Sequence, residues 1–259
     1  MPKPTPVPMT VLETRRISRS MVRLVLGDGP HAGSFDDLAT RHLGFTDTYV
    51  KLVFGYGREE HPVMRTYTVR RFDPEGRELW IDVVTHGHGI AATWAREAAP
   101  GDVIHVRGPS GAYRPDPAAD HHLLVGDEAA IPAIGLTLES LTLDQSATVF
   151  IEIGGPDDEV PLQWDGQVDV HWLHRGRAEA GTTTLLDDAV RAWPWPEGRV
   201  QAFVHGEAGL LKTVRPYVLE RAAREDVSVS GYWRVGNTEE SFREWKATQT
   251  DAILRPAGR

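Results

Sequence analysis

The chain has 259 residues, 41% of them apolar and 25% charged, a composition that supports one or two packed domains and excludes a disordered chain. It contains no cysteine, which excludes disulfides, thiolate metal sites, cysteine nucleophiles and cysteine-ligated iron–sulfur clusters, so any redox centre has to be brought in as a cofactor. A net charge of −9 argues against nucleic acid as partner. No run approaches the roughly 18 apolar residues of a membrane span, and Met1-Pro2-Lys3-Pro4-Thr5-Pro6 lacks the apolar core of a secretion signal, so a cytoplasmic protein with no membrane partner is expected.

In chain order, strands are predicted at Met21–Leu26, Tyr49–Phe54, Arg65–Arg70 and Glu78–Val84, where β-branched and aromatic residues partly alternate with polar ones between turn formers such as Asp73-Pro74-Glu75-Gly76. A helix is predicted over Ile90–Ala98, ending before Pro100-Gly101, and a further strand around Val103–Val106. Closely spaced strands with one helix predict a β-barrel. After Arg114-Pro115-Asp116-Pro117 the rhythm changes. Strands at His122–Val125, Ala147–Ile153, Val168–Leu173 and Val200–Val204 alternate with helical stretches, one of them entered through Pro132. That alternation predicts a doubly wound, mainly parallel α/β domain. The expected division is therefore residues 1–114 and 115–259.

Two segments carry chemistry. In Arg65-Thr66-Tyr67-Thr68-Val69-Arg70, strand geometry places Arg65 and Tyr67 on one face and Thr68 and Arg70 on the other. An aromatic plane, a small hydroxyl and a guanidinium are what a flavin dinucleotide requires at its ring, its redox-active nitrogen and its diphosphate. The same segment also reads as an exposed strand with two arginines. Next, Asp82-Val83-Val84-Thr85-His86-Gly87-His88-Gly89 leads into the helix that starts at Ile90, and a glycine-rich turn at a helix N-terminus suits a phosphate. His86 and His88 have no third ligand at metal-binding spacing, so no metal is expected.

Together these segments resemble the siderophore-interacting protein family, FAD-dependent ferric-siderophore reductases related to ferredoxin–NADP reductases, and the resemblance spans most of the chain. The family pattern Arg-x-Tyr-Thr-x-Arg is met by Arg65, Tyr67, Thr68 and Arg70, and Asp-x-Val-x-His-Gly by Asp82, Val84, His86 and Gly87. The family's Gly-Pro-Ala-Ser-x-Trp-Ala is matched by Gly89-Ile90-Ala91-Ala92-Thr93-Trp94-Ala95, with isoleucine for proline and the hydroxyl one place later. Gly126-Asp127-Glu128-Ala129-Ala130-Ile131-Pro132-Ala133-Ile134 is similar to the family's Gly-Asp-Glu-Thr-Ala-Leu-Pro-Ala-Ile, with Ala129 in place of threonine, which removes one hydroxyl from the nicotinamide side. His205-Gly206-Glu207-Ala208, Arg215 and Gly231-Tyr232-Trp233-Arg234-Val235-Gly236 match later landmarks.

The resemblance implies an FAD-binding barrel followed by an NAD(P)H-binding-like domain. It implies cofactor contacts from Arg65, Tyr67, Thr68, Val69 and Arg70, from Asp82, Val84, His86 and Gly87, and from Gly89, Ala91, Ala92, Thr93 and Trp94. Gly126, Asp127, Glu128, Tyr232 and Trp233 are expected to face the cofactors from the second domain, where Tyr232 and Trp233 also read as core packing. The expected reaction passes electrons from NAD(P)H through FAD to a ferric siderophore and needs no side-chain acid or base. Reduced ferredoxin as donor, or siderophore binding without catalysis, are the alternatives. Anionic chelates require cations; Lys51 lies on a barrel strand and the resemblance places Arg234 and Lys246 near the flavin, so these three are the expected substrate contacts.

Overall fold

The computed structural model describes residues 4–42, 44–85, 89–242, 244, 245 and 248, so His86, Gly87 and Lys246 of the expected site lie outside the described residues. Strands β1 (Val7–Ser18), β2 (Met21–Gly27), β3 (Tyr49–Phe54), β4 (Val63–Asp73), β5 (Glu78–Val84) and β6 (Val103–Ser110) close into an antiparallel barrel in the order β1-β2-β5-β4-β3-β6. Closure leaves no unpaired sheet edge. Alternation decides what points inward: Leu24 pairs with Ile81 and Leu26 with Leu79, and all four are buried in the barrel core. Phe35 and Leu38 of α1 (Ser34–Ala39) and Ala91 and Ala95 of α2 (Ile90–Glu97) pack against that core. Strand β1 escapes the sequence pattern because VPMTVLETRRIS mixes polar and apolar residues and shifts register twice against β2.

Strands β7 (His121–Asp127), β8 (Ser146–Ile153), β9 (Gln167–His174), β10 (Val200–Glu207) and β11 (Val227–Trp233) form a wholly parallel sheet in the order β11-β10-β7-β8-β9. The inner strands β7, β8 and β10 are buried almost throughout, as strands covered on both faces must be. Helix α3 (Ile131–Ser140) covers one face, and α4 (Leu185–Ala192) and α5 (Val214–Leu219) cover the other. From β7 the chain steps to β8 and β9 on one side and then to β10 and β11 on the other. The strand order therefore reverses beside β7, and the carboxyl ends of β7 and β10 flank the crevice where such sheets bind ligands. Gly126 is required there by close approach: a Cβ would lie 2.4 Å from Ala130 Cβ and 2.7 Å from the His205 carbonyl oxygen.

Polar contacts join barrel and sheet. Thr137 of α3 donates to Thr46 (2.9 Å), Arg19 pairs with Asp158 (2.6 Å), and Arg70 of β4 pairs with Glu139 of α3. Among the described residues, no helix is long and apolar enough to cross a membrane.

Candidate functional site

A cleft of about 510 Å³ opens between the barrel and the carboxyl ends of β7 and β11. Its barrel wall is Tyr49 and Lys51 from β3, Arg65 to Thr68 from β4, Asp82 and Val84 from β5, and Ala92 from the first turn of α2. The opposite wall is Asp127, Glu128 and Ala129, then Tyr232, Trp233 and Arg234 with the segment that follows β11.

The cleft's donors converge on two carboxylates. Glu239 accepts the Thr66 N–H at 2.9 Å and its hydroxyl at 2.8 Å, and lies 3.5 Å from Lys51 Nζ, which also bonds Thr66 Oγ1 at 2.8 Å. Glu240 accepts from Arg65 Nη1 at 2.6 Å, while the same guanidinium nitrogen bonds the Met64 carbonyl. Carboxylate oxygens here stand in for the anionic oxygens that a diphosphate would present, so the set fits a dinucleotide. The first-turn N–H groups of α2, next to Ala92, have no partners within the helix and add donors on the same wall. Aromatic surface comes from Tyr67 and Tyr232, whose phenols burial pushes upward, so both remain protonated donors near neutral pH.

The structure sorts the expected residues. Lys51, Arg65, Tyr67, Thr68, Asp82 and Val84 meet at the cleft with Ala92, Asp127, Glu128, Tyr232, Trp233 and Arg234. Arg70 does not join them: a register shift between Val69 and Arg71 turns it away, and its guanidinium ties β4 to Glu139 of α3. Val69 points into the barrel core and its N–H is taken by the Thr48 carbonyl at 2.7 Å. Ala91 is buried in that core, Trp94 packs edge-on against Phe54, and Thr93 accepts from Arg96 at 3.1 Å. Gly89 precedes α2 with extended backbone, and Gly126 is held under Ala130. Of the expected cations within the described residues, Lys51 faces Glu239 and Arg234 lies over the Trp245 ring at 4.4 Å.

Three features were not legible beforehand. Glu239 and Glu240 belong to no motif and reach the barrel only through the fold. Arg175, just after β9, makes a buried ion pair with Glu128 at 2.5 Å, with side chains 7% and 3% exposed. Arg23 of β2 clamps Asp82 with two bonds of 2.7 and 2.8 Å, which fixes that carboxylate on the barrel wall. Among the described residues no group of three or more histidines and carboxylates could hold a metal ion.

An antiparallel barrel that offers cations, hydroxyls and aromatic rings to the switch point of a parallel sheet is an arrangement suited to a flavin-dependent oxidoreductase. Comparison with known proteins carries this further. The family model described as siderophore-interacting FAD-binding domain matches residues 54–113, and that of siderophore-interacting protein matches residues 119–236. The chain belongs to the siderophore-interacting protein family, and FAD is its cofactor. It is 43% identical to an uncharacterized protein of Mycobacterium tuberculosis over 93% of this chain and 95% of that one. With the ferric vibriobactin reductase ViuB of Vibrio cholerae it shares 34% identity over 72% of this chain and 70% of that protein. The crystal structure of a siderophore utilization protein from T. fusca superposes with a TM-score of 0.80 at 35% identity, covering 90% of this chain and 94% of that one.

Proposed function

We propose that the chain is a ferric-siderophore reductase that takes electrons from NAD(P)H, passes them through FAD to the Fe(III) chelate, and so releases Fe(II). In balance, one NAD(P)H and two Fe(III) chelates give NAD(P)+, a proton and two Fe(II). Bound FAD would supply the exchange between a hydride's electron pair and single-electron steps. Ferric ion is a hard cation that prefers anionic oxygen donors, and its reduction weakens their hold.

The convergence of Arg65 and Thr66 on paired carboxylates is the observation that supports this most. In this function residues 1–114 hold FAD, with Arg65 and Thr66 at the diphosphate, Tyr67 against the ring and Thr68 as a hydroxyl donor to it. Residues 115–259 receive the donor at the switch point beside Asp127. A cytoplasmic setting follows from NAD(P)H as the donor. The activity of ViuB, a reductase of ferric vibriobactin by name, supports the substrate class.

Lys51 and Arg234 would capture the anionic chelate. A partly exposed cation contributes about 0.5–1 kcal/mol, so removing two with Lys51→Ala and Arg234→Ala should raise the KM for an anionic ferric chelate by roughly five- to thirtyfold. The wild-type rate at low substrate should fall with salt, because screening acts over about 8 Å near physiological ionic strength, and the double variant should respond less. A neutral chelate serves as control. Equal KM and salt slope in the two proteins would place the landing site elsewhere.

A further inference from the structure

Asp127 ends β7 at the switch point, and three separately formed elements close on its carboxylate. Oδ1 accepts the Ala129 N–H at 2.9 Å, in the turn before α3. Oδ2 accepts the Glu207 N–H at 2.8 Å at the end of β10 and the indole Nε1–H of Trp233 at 2.8 Å at the end of β11. The residue is 5% exposed. Gly206 makes room for it: a Cβ there would lie 2.7 Å from Oδ2, and the backbone holds φ at +147°, where side chains are rarely tolerated. Burying an ionisable carboxyl is expensive, and a neutral carbonyl would satisfy an indole N–H as well. The arrangement therefore calls for a role that a neutral acceptor would not fill.

We propose that Asp127 is a positioning residue for the donor side of the cleft, fixing the Trp233 indole against the turn that carries Glu128 and Ala129, with a grip that changes when the carboxyl gains or loses a proton. This role rests on the flavin-reductase function proposed above. Burial, reinforced by the Glu128 carboxylate, pushes the Asp127 acid up to about 7, against the pull of the three N–H donors. The titratable groups facing it are Glu128 on its own turn, Arg175 from beyond β9 and Tyr232 on β11, while Glu207 on β10 presents its N–H and turns its carboxylate to the Gly209 and Val235 N–H groups. Glu152 of β8 stands behind Glu128, and burial raises its carboxyl too. An ionised acceptor makes a hydrogen bond roughly twice as strong as a neutral one, so the indole is held more firmly above the midpoint than below it. The sign for the fold as a whole is opposite. Between the ordinary aspartate value and about 7, the native chain binds a proton that the unfolded chain has lost. Asp127 thus contributes stability that is full below the unfolded value and is lost as pH rises through the folded one.

The test follows the Trp233 indole N–H by heteronuclear NMR in the full chain, with and without FAD, its signal assigned by its disappearance in Trp233→Phe. The expected result is a single titration with a midpoint near the folded value of about 7, absent in Asp127→Asn across the range from about pH 5 to about pH 9. A static wild-type indole, or the same titration in Asp127→Asn, overturns the proposal. Should Asp127→Asn not fold, Trp233→Phe carries the test through the Asp127 carboxyl carbon: loss of the indole donor must raise its midpoint, and an unchanged midpoint overturns the coupling. In the FAD-loaded protein, Asp127→Asn should flatten the pH profile of flavin reduction by NAD(P)H. A static indole in a chain that binds FAD sinks the coupling alone, whereas a titrating indole in a chain that refuses FAD sinks the function of the cleft and leaves the coupling standing.

Discussion

Replacing Arg65 by alanine should weaken FAD binding by roughly ten- to a hundredfold, while replacing Glu240 by alanine should tighten it. Arg65 is the guanidinium that β4 delivers to the cleft, with its side chain only 22% exposed, and it is bonded to Glu240. A hydrogen bond to a charged group contributes about 1.5–3 kcal/mol, and each 1.4 kcal/mol is about a factor of ten in affinity. Glu240 occupies the same donor and is half exposed, so screening limits its competition to at most about 1 kcal/mol. Removing it should therefore improve FAD affinity by no more than about fivefold. The opposite signs matter, because general damage to the barrel would weaken binding in both variants. Fluorescence quenching during FAD titration reads both, and equal affinities in Arg65→Ala and wild type would remove Arg65 from the diphosphate.

The largest effect on stability is expected away from any motif. In Arg175→Met the Glu128 carboxylate, 3% exposed and beside the buried Asp127, loses its counter-charge. An uncompensated buried charge costs about 3–5 kcal/mol, a large share of the total for a chain of this size. Adding Glu128→Gln should restore most of that loss, because the pair is destabilised by breaking it rather than by removing it. Urea unfolding monitored by tryptophan fluorescence measures the three proteins, and a single variant within about 1 kcal/mol of wild type would show that water reaches Glu128 freely.

The barrel and the parallel sheet were legible because their inner strands are continuous runs such as HLLVGD in β7 and ATVFIEI in β8, whose burial leaves one assignment open. Motif residues were legible as a set, yet position within the set was not. Alternation alone puts Arg70 on the face of Thr68, which lines the cleft, and the register shift after Val69 is what the sequence does not show: Thr68 stays at the cleft while Arg70 goes to Glu139. Val69, Ala91 and Trp94 belong to the same strings but support the cleft from inside the barrel core. Glu239, Glu240 and Arg175 act on residues 173 or 175 positions away for the first two and 47 positions away for the last, so no local pattern marks them. Asp127 was visible as part of a string, whereas its three donors come from turn, β10 and β11 and exist only once the sheet is assembled.

The most direct measurement is an anaerobic titration of the purified, FAD-loaded protein. NAD(P)H should bleach the flavin, and a ferric siderophore added next should restore its colour while a ferrous trap collects two Fe(II) for each NAD(P)H consumed. Reduced ferredoxin is run in parallel as the competing donor. A protein that binds no FAD, or a bleached flavin that leaves the ferric siderophore unreduced, would contradict the function proposed for the cleft.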